Sequence, residues 1–334
     1  MKNFAGKIAF ITGGASGAGL GQAKLFSKEG MRVAIGDIRQ DALDKAVEEI
    51  RAYSGAKAED VLAIRVDLMD REQYIAAADK IEEVFGGPPH LFIQTAGVNS
   101  FGPAEASTFD DYDWVVGVNF NAVVNGLVIF VPRMIRAYSG KTDCHVAATS
   151  SMGAFSGFAT DAPYAAAKAA VNSLFYSYYE ALKPYGIGAT VLCPANINSN
   201  IGEAEKYRPE HLRNTGYNVT EETIAFLKSI HATGMDPIEL AEWLKNGIVN
   251  EQVLVVPYEN SEEMLRREFQ KIIDFSSPEG MKRIAEAEEA QRKAMEEMMK
   301  NMPKPADGAP VMKDVGFAKA RKDLDWVDPS KKMN

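Results

Sequence analysis

Tyr164 and Lys168 stand four positions apart in PYAAAKAAV, residues 163–171, a run otherwise made almost wholly of alanine. On a helix that spacing puts both side chains on one face, a turn apart. The small neighbours leave room for something compact to approach that face. A phenol with a pKa of about 10 is a poor base at neutral pH, but a nearby ammonium stabilises its phenolate and makes it usable. Ser151, in ATSSMG upstream, can hold a substrate oxygen while Tyr164 takes or gives a proton. A Tyr/Lys pair on a helix is usually plain surface, so its weight depends on what else points to the same place.

TGGASGAGLG, residues 12–21, points there. Thr12, Gly13, Ser16, Gly17, Ala18 and Gly19 lie between a first apolar run and a first amphipathic one. Glycines let the chain turn tightly and approach a pyrophosphate, and a helix N-terminus offers unpaired N–H donors. The spacing Gly13-x3-Gly17-x-Gly19 departs from G-x-G-x-x-G, and alone it would be only a turn. Asp37 follows the next apolar run, where a carboxylate accepts from ribose hydroxyls and repels a 2′-phosphate. The expected cofactor is therefore NAD rather than NADP, although Arg39 is close enough to complicate the choice. A positively charged nicotinamide would join Lys168 in favouring the Tyr164 phenolate.

These residues need a scaffold. Apolar, β-branched runs at Ile8–Thr12, Arg32–Gly36, Val61–Val66, Leu91–Gln94, His145–Thr149, Ala189–Leu192 and Val253–Val256 read as strands. Amphipathic stretches such as Gly19–Lys28, Ala42–Arg51, Gln73–Phe85, Asp110–Ala137 and Tyr164–Pro184 alternate with them. The expected fold is α/β: a Rossmann-type, doubly wound parallel sheet with helices on both faces and a helical C-terminal extension. In such sheets ligands bind outside the carboxyl ends of the strands, where all the residues above would fall.

A net charge of −9, with Lys and Arg scattered, argues against nucleic acid or an anionic membrane as partner. The most apolar stretch, Val115–Ile135, is broken by Asn119, Asn121, Asn125, Pro132 and Arg133, so no membrane helix is expected there, and the N-terminus carries no leader pattern. A cytoplasmic protein is expected. Cys144 and Cys193 read as buried free thiols, and His90, His145, His211 and His231 lack metal-ligand spacing, so no metal is expected.

Taken together, Thr12-Gly13-x3-Gly17-x-Gly19, Asp67, Ala96-Gly97, Asn119, Ser151 and Tyr164-x3-Lys168 make residues 3–258 resemble the short-chain dehydrogenase/reductase family. The resemblance implies that Asp67 and Leu68 meet adenine, that Lys168 also binds the nicotinamide ribose, and that Asn119 holds a water in a proton relay from Lys168. It likewise implies that Ala96 and Gly97 line the cofactor, and that Pro194, Ile197 and Ser199 border its carboxamide end. Two positions depart from the usual pattern: Thr95 stands where asparagine is usual, and Ala195 where glycine is usual. FITGGASGAG, TAGVNSFGP, VPRMI and PANINSNI narrow the resemblance to the Cα-dehydrogenases of bacterial lignin aryl-ether catabolism, departures included.

Residues 1–258 are thus expected to form the catalytic domain, with 196–235 as a substrate-binding lid and 259–334 as an extension. Asn99, Phe101, Phe155, Phe158, Asn196 and Tyr207 are candidate substrate contacts, and Tyr217 a further aromatic that could stack. In the extension, Ser261–Phe275 and a helix opened by Ser277-Pro278-Glu279 and running to about Met302 carry apolar faces, with Met281, Met295 and Met298 on the second. Residues 303–310 read as a linker, and 315–334, with Phe317 and Trp326, as either a disordered tail or an arm over a partner. The expected activity is NAD-dependent oxidation of a secondary alcohol to a ketone by a homodimer or homotetramer. A ketone or acyl reductase, which would prefer NADPH, and an NAD-sensing regulator are the rivals.

Overall fold

The computed structural model describes residues 1–258, 261–275 and 278–301. Seven strands form one sheet: β1 (Ile8–Thr12), β2 (Arg32–Asp37), β3 (Val61–Arg65), β4 (Leu91–Gln94), β5 (Cys144–Thr149), β6 (Ile187–Leu192) and β7 (Leu254–Val255). Every pairing is parallel, in the order β3-β2-β1-β4-β5-β6-β7. All seven coincide with expected apolar runs. They are legible because a parallel sheet covered on both faces needs apolar residues at consecutive positions; every residue of β1, β4 and β5 is buried.

Helices α1 (Gly17–Lys28), α2 (Gln40–Ser54) and α8 (Pro237–Val249) share one core with Ala9, Ile11, Val33 and Ile35. Phe10 and Phe92 turn to the other face and pack against Phe130 of α5 (Ala122–Tyr138), with Tyr74 of α3 (Arg71–Phe85) beside them. The alternation of Ala9, Phe10 and Ile11 is the strand's period of two applied to a sheet with two cores. Helix α6 (Ala162–Leu182) packs on β6.

Two details differ from the sequence reading. The helix expected over Asp110–Ala137 is interrupted: α4 (Phe109–Val116) passes into a π-helical turn at Gly117–Asn121 before α5 begins. Such turns widen a helix by one residue and often sit at functional sites; this one holds Asn119. By length and apolarity the whole stretch Phe109–Tyr138 could also cross a membrane, but 67% of its most apolar window is buried in the protein, so its apolar side serves the core. Segment 196–235 is not one irregular loop. It contains 3₁₀ turns at Ile201–Tyr207 and Glu210–Leu212 and helix α7 (Glu221–His231), and an Ile197–Met235 bridge pins its two ends together.

The chain divides into a unit Met1–Pro257 and another beginning at Tyr258. In the second, α9 (Ser261–Asp274) and α10 (Pro278–Asn301) are amphipathic, and Phe269, Ile272, Ile273 and Phe275 are exposed. The Ser277 cap, the Met281, Met295 and Met298 side chains, the helix end at Met302, the linker and the tail with Phe317 and Trp326 lie outside the described residues. Cys144 and Cys193 are both buried and unpaired.

Candidate active site

Ser151 stands two residues past the end of β5, and its Oγ accepts from the Gly153 amide at 3.0 Å. Tyr164 and Lys168 lie on α6, which the Ser150 hydroxyl ties to the end of β5 by donating to the Lys168 carbonyl at 2.9 Å. The Lys168 ammonium sits 5.4 Å from the Tyr164 ring centre and donates to the Thr149 carbonyl at 2.8 Å. The structure therefore brings the three residues to one strand end. Burial pushes the Tyr164 phenol up to about 12, against the pull of a hydrogen bond with Ser151, while Asp161 and Cys193 push it further the same way. Burial also lowers Lys168, to about 8. The depression of Tyr164 expected from Lys168 is thus not a property of the protein alone, where desolvation sets the direction.

Asn119 reaches the same place from the π turn. Its Nδ2 donates to the Val98 carbonyl at 2.7 Å and its Oδ1 accepts from the Val98 amide at 2.9 Å. Gly97 keeps a gap open between β4 and α6: a methyl there would sit 2.9 Å from Asn119 Oδ1 and 3.5 Å from Lys168 Nζ. A gap with polar groups on two sides is suited to a bridging water. Thr95, the unusual residue, proves well placed. Its hydroxyl donates to Gln22 Oε1 at 2.6 Å and lies 2.9 Å from Thr149 Oγ1, while Thr12 Oγ1 accepts from the Thr95 and Ala96 amides at 3.1 and 3.3 Å. Gln22 of α1 receives this bond from 73 residues away, a contact that sequence reading missed.

At the glycine turn, Gly13 (φ +65°) and Gly17 (φ +50°) occupy left-handed backbone that side chains disfavour. A methyl on Gly17 would lie 2.9 Å from Ser199 Cβ, so the close approach of these two segments also needs the glycine. Ser16 takes the N-cap position of α1, but its side chain makes no bond to the helix. The first-turn N–H groups of α1, from Gly17 through Ala18 and Gly19, are left for an anion. Among the described residues, Ser199 Oγ is buried with no hydrogen-bond partner. An uncapped helix start with a buried, unpartnered hydroxyl close beside it fits a dinucleotide. Asp67 spends one carboxylate oxygen on the Met69 amide at 2.9 Å, and Leu68 is buried beside it. Pro194 accepts from the Met152 amide at 2.8 Å, and Ile197 anchors the bridge to Met235.

Asp37 ends β2, 8% exposed, with Arg39 folded back on it: Nε lies 3.1 Å from Oδ1 and Nη2 3.2 Å from Oδ2. Arg39 Nη2 also donates to Ser16 Oγ at 2.8 Å, and its guanidinium carbon sits 5.1 Å from the Tyr207 ring centre. Burial works against the Arg39 charge, but Asp37 and Tyr207 outweigh it and raise the pKa.

This placement corrects one substrate assignment, since Tyr207 stands by the cofactor's expected ribose end rather than by Tyr164. Three strand steps, about 14 Å, separate β2 from β5. Asn196 is a second correction. Its Nδ2 donates to the Ile230 carbonyl at 2.9 Å and its Oδ1 meets His231 Nδ1 at 2.9 Å, so it holds α7 to the sheet. Tyr217 is packing: it is buried against Gly102, with its hydroxyl 2.5 Å from Ser107 Oγ. Asn99 remains a candidate, buried with Oδ1 unpartnered. Phe101 lies 6.3 Å from the His231 ring, Phe155 follows the turn after Ser151, and Phe158 is 57% exposed.

Sequence reading also missed Arg208. It is 3% exposed, stacks 5.0 Å from the Trp114 ring, and places Nη1 2.8 Å from Asp111 Oδ1 and 3.3 Å from Glu205 Oε1. Ser100 donates to the same Glu205 oxygen. The cluster joins the 201–212 turns to α4, beside the apolar wall of Trp114, Val115, Ala204 and Leu212 against which Tyr164 packs. Arg208→Met should cost about 3–5 kcal/mol in chemical denaturation, because it strands the buried Asp111 carboxylate. An unchanged midpoint would show the cluster to be energetically neutral.

The short chain dehydrogenase family model matches residues 7–209. The C alpha-dehydrogenase of Sphingobium sp. strain SYK-6 is 48% identical over 292 residues, 86% of this chain and 93% of that protein. The crystal structure of the LigD apo form from the same strain superposes with a TM-score of 0.68 at 42% identity, covering 83% of this chain and all of that one. A short chain dehydrogenase/reductase from Burkholderia phymatum, solved in complex with NAD, gives a TM-score of 0.75 at 30% identity, covering 83% and 98%.

Proposed function

Because this chain belongs to the short-chain dehydrogenase/reductase family and is a dehydrogenase acting on CH–OH groups, we propose that it uses NAD to oxidise a benzylic secondary alcohol, such as a lignin-derived aryl ether, to the ketone. The observation that carries the reading is the meeting of Ser151, Tyr164 and Lys168 at the end of β5, on the same carboxyl edge of the sheet as the glycine turn after β1. The name of the relative from Sphingobium supports the alcohol class, and Asp37 at the end of β2 supports NAD.

In this reading Ser151 donates its hydroxyl hydrogen to the alcohol oxygen and fixes its position. Tyr164 takes the hydroxyl proton, and Lys168 with Asn119 passes it toward solvent across the gap left by Gly97. The bound cofactor would supply the hydride acceptor and a positive charge near the phenol. Thr12, Gly13, Gly17, Ala18, Gly19, Asp67, Leu68, Ala96, Pro194, Ile197 and Ser199 would hold it. Since oxidation needs the phenolate and the protein's own groups, burial foremost, leave Tyr164 at about 12, the rate should rise with pH across the neutral and alkaline range. A homo-oligomer is part of the proposal, supported by the exposed apolar side chains of α9.

The test is absorbance at the reduced-nicotinamide band with NAD or NADP and a panel of secondary alcohols. Reduction of NAD by benzylic aryl-ether alcohols is the expected result. Activity confined to aliphatic alcohols would remove the aryl assignment, and preference for NADP would remove the role given to Asp37.

A further inference from the structure

Gln22 is wholly buried on α1, the helix whose start faces the expected cofactor, and no step above uses it. Its Nε2 donates to Thr149 Oγ1 at 3.3 Å, and its Oε1 accepts from the Thr95 hydroxyl at 2.6 Å. That second bond spends the Thr95 hydrogen, so across the 2.9 Å between Thr95 Oγ1 and Thr149 Oγ1 it is Thr149 that donates. The three side chains close a ring in which each gives one hydrogen bond and takes one. Bonds in such a ring strengthen one another, and a buried ring is costly to leave half made.

The ring stands where the sheet's own bonding stops. The last main-chain pair of β4 with β5 is Gln94 with Ala148, and the last of β1 with β4 is Thr12 with Gln94. One position further on, Thr95 and Thr149 meet through their hydroxyls, with Gln22 joined to both. The Thr149 carbonyl accepts from Lys168 Nζ at 2.8 Å and, among the described residues, is the one hydrogen-bond acceptor of that ammonium. Lys168 is 3% exposed, so bulk solvent does not replace that support if Thr149 shifts. Cys193 past β6 and Asp161 at the start of α6 are the titratable groups that act on Lys168 and Tyr164, and among the described residues neither bonds to the ring.

We propose that Gln22 is a positioning residue for Lys168: by closing the ring with Thr95 and Thr149 it fixes the Thr149 carbonyl against the ammonium, and so keeps Lys168 where it assists proton transfer at Tyr164. Gln22 itself touches none of the reacting atoms. Its place about one turn beyond the start of α1 also ties the helix expected to meet the pyrophosphate to the pair that moves the proton. Methionine, close to glutamine in size, keeps the packing but offers neither the donor nor the strong acceptor that the ring needs. This proposal rests on the dehydrogenase reading and extends its machinery to α1.

The test measures kcat for Gln22→Met across pH, with saturating NAD and an alcohol of the panel that wild type oxidises, alongside NADH affinity by fluorescence titration. With Lys168 less well held the phenolate loses support, so the midpoint of the rising pH profile should move up by about one unit and kcat at neutral pH should fall about 10-fold. NADH affinity should stay within about threefold of wild type. In a Lys168→Met background, where no ammonium is left to position, Gln22→Met should change kcat by less than about threefold. Thr95→Val breaks the same ring at another member and should move the profile in the same direction, which carries the test if Gln22→Met fails to fold. A midpoint that stays put in both single variants, a loss confined to NADH affinity, or a further loss of about 10-fold in the Lys168→Met background would overturn the proposal while leaving the dehydrogenase reading intact. Failure of wild type on every alcohol would sink that reading, and this one with it.

Discussion

Replacing Tyr164 with phenylalanine is expected to lower kcat by about 10³-fold or more while leaving NAD affinity within about threefold. The variant keeps the ring that packs against Trp114, Val115, Ala204 and Leu212, so the apolar wall and the position of α6 persist. Only the hydroxyl that exchanges the proton is lost. Ser151 cannot take over, since its Oγ already accepts from the Gly153 amide and no base stands behind it. Lys168, lowered by burial to about 8, donates to the Thr149 carbonyl. Fluorescence titration with NADH gives affinity and stopped-flow absorbance gives turnover. Near-normal turnover would mean that Tyr164 only packs.

The second large effect concerns the coenzyme. Asp37→Ser should shift the ratio of kcat/KM for NADP to that for NAD by on the order of 100-fold or more. Two changes act together. The phosphate of NADP no longer faces a carboxylate, a like-charge contact that costs several kcal/mol when desolvated. Arg39 also loses the partner that holds Nε and Nη2, and it is left 2.8 Å from Ser16 Oγ on the glycine turn, free to meet a 2′-phosphate. Adding Arg39→Ala to the variant should remove the gained NADP activity without restoring NAD. An unchanged ratio in Asp37→Ser would show that the end of β2 does not select the coenzyme.

Legibility in the sequence followed physical rules that differ from element to element. The strands could be read because a doubly covered sheet leaves no solvent face to mask the apolar runs. Helix α8 was missed despite clear signals: Asp236 caps it through the Ile238 and Glu239 amides, and Pro237 and Glu239 fill its first turn. The same holds for α7, whose cap Thr220 accepts from the Thr223 amide. The lid reading covers 196–235, so it contains α7 and stops short of α8. The π turn around Asn119 leaves no comparable signal, since a one-residue slip hardly disturbs a long apolar pattern.

In the site, Ser151, Tyr164 and Lys168 could be found because one residue type at one spacing suits one chemistry. The pairing of Arg39 with Tyr207 depends on how the 201–212 turns return toward β2, as does that of Arg208 with Asp111 on how they meet α4. No local pattern encodes a contact between segments that far apart. Asn196 shows the converse, a polar residue in a suggestive position whose hydrogen bonds are consumed by α7.

The most direct measurement of the central claim follows the carbinol hydrogen. A benzylic aryl-ether alcohol carrying deuterium at the carbinol carbon is incubated with the protein and NAD, and both products are read by mass spectrometry. The account predicts one ketone formed for each reduced nicotinamide, with the deuterium in the nicotinamide and turnover lowered about 10³-fold or more in Tyr164→Phe. Ketone formed without label in the cofactor, or no ketone at all, would contradict it.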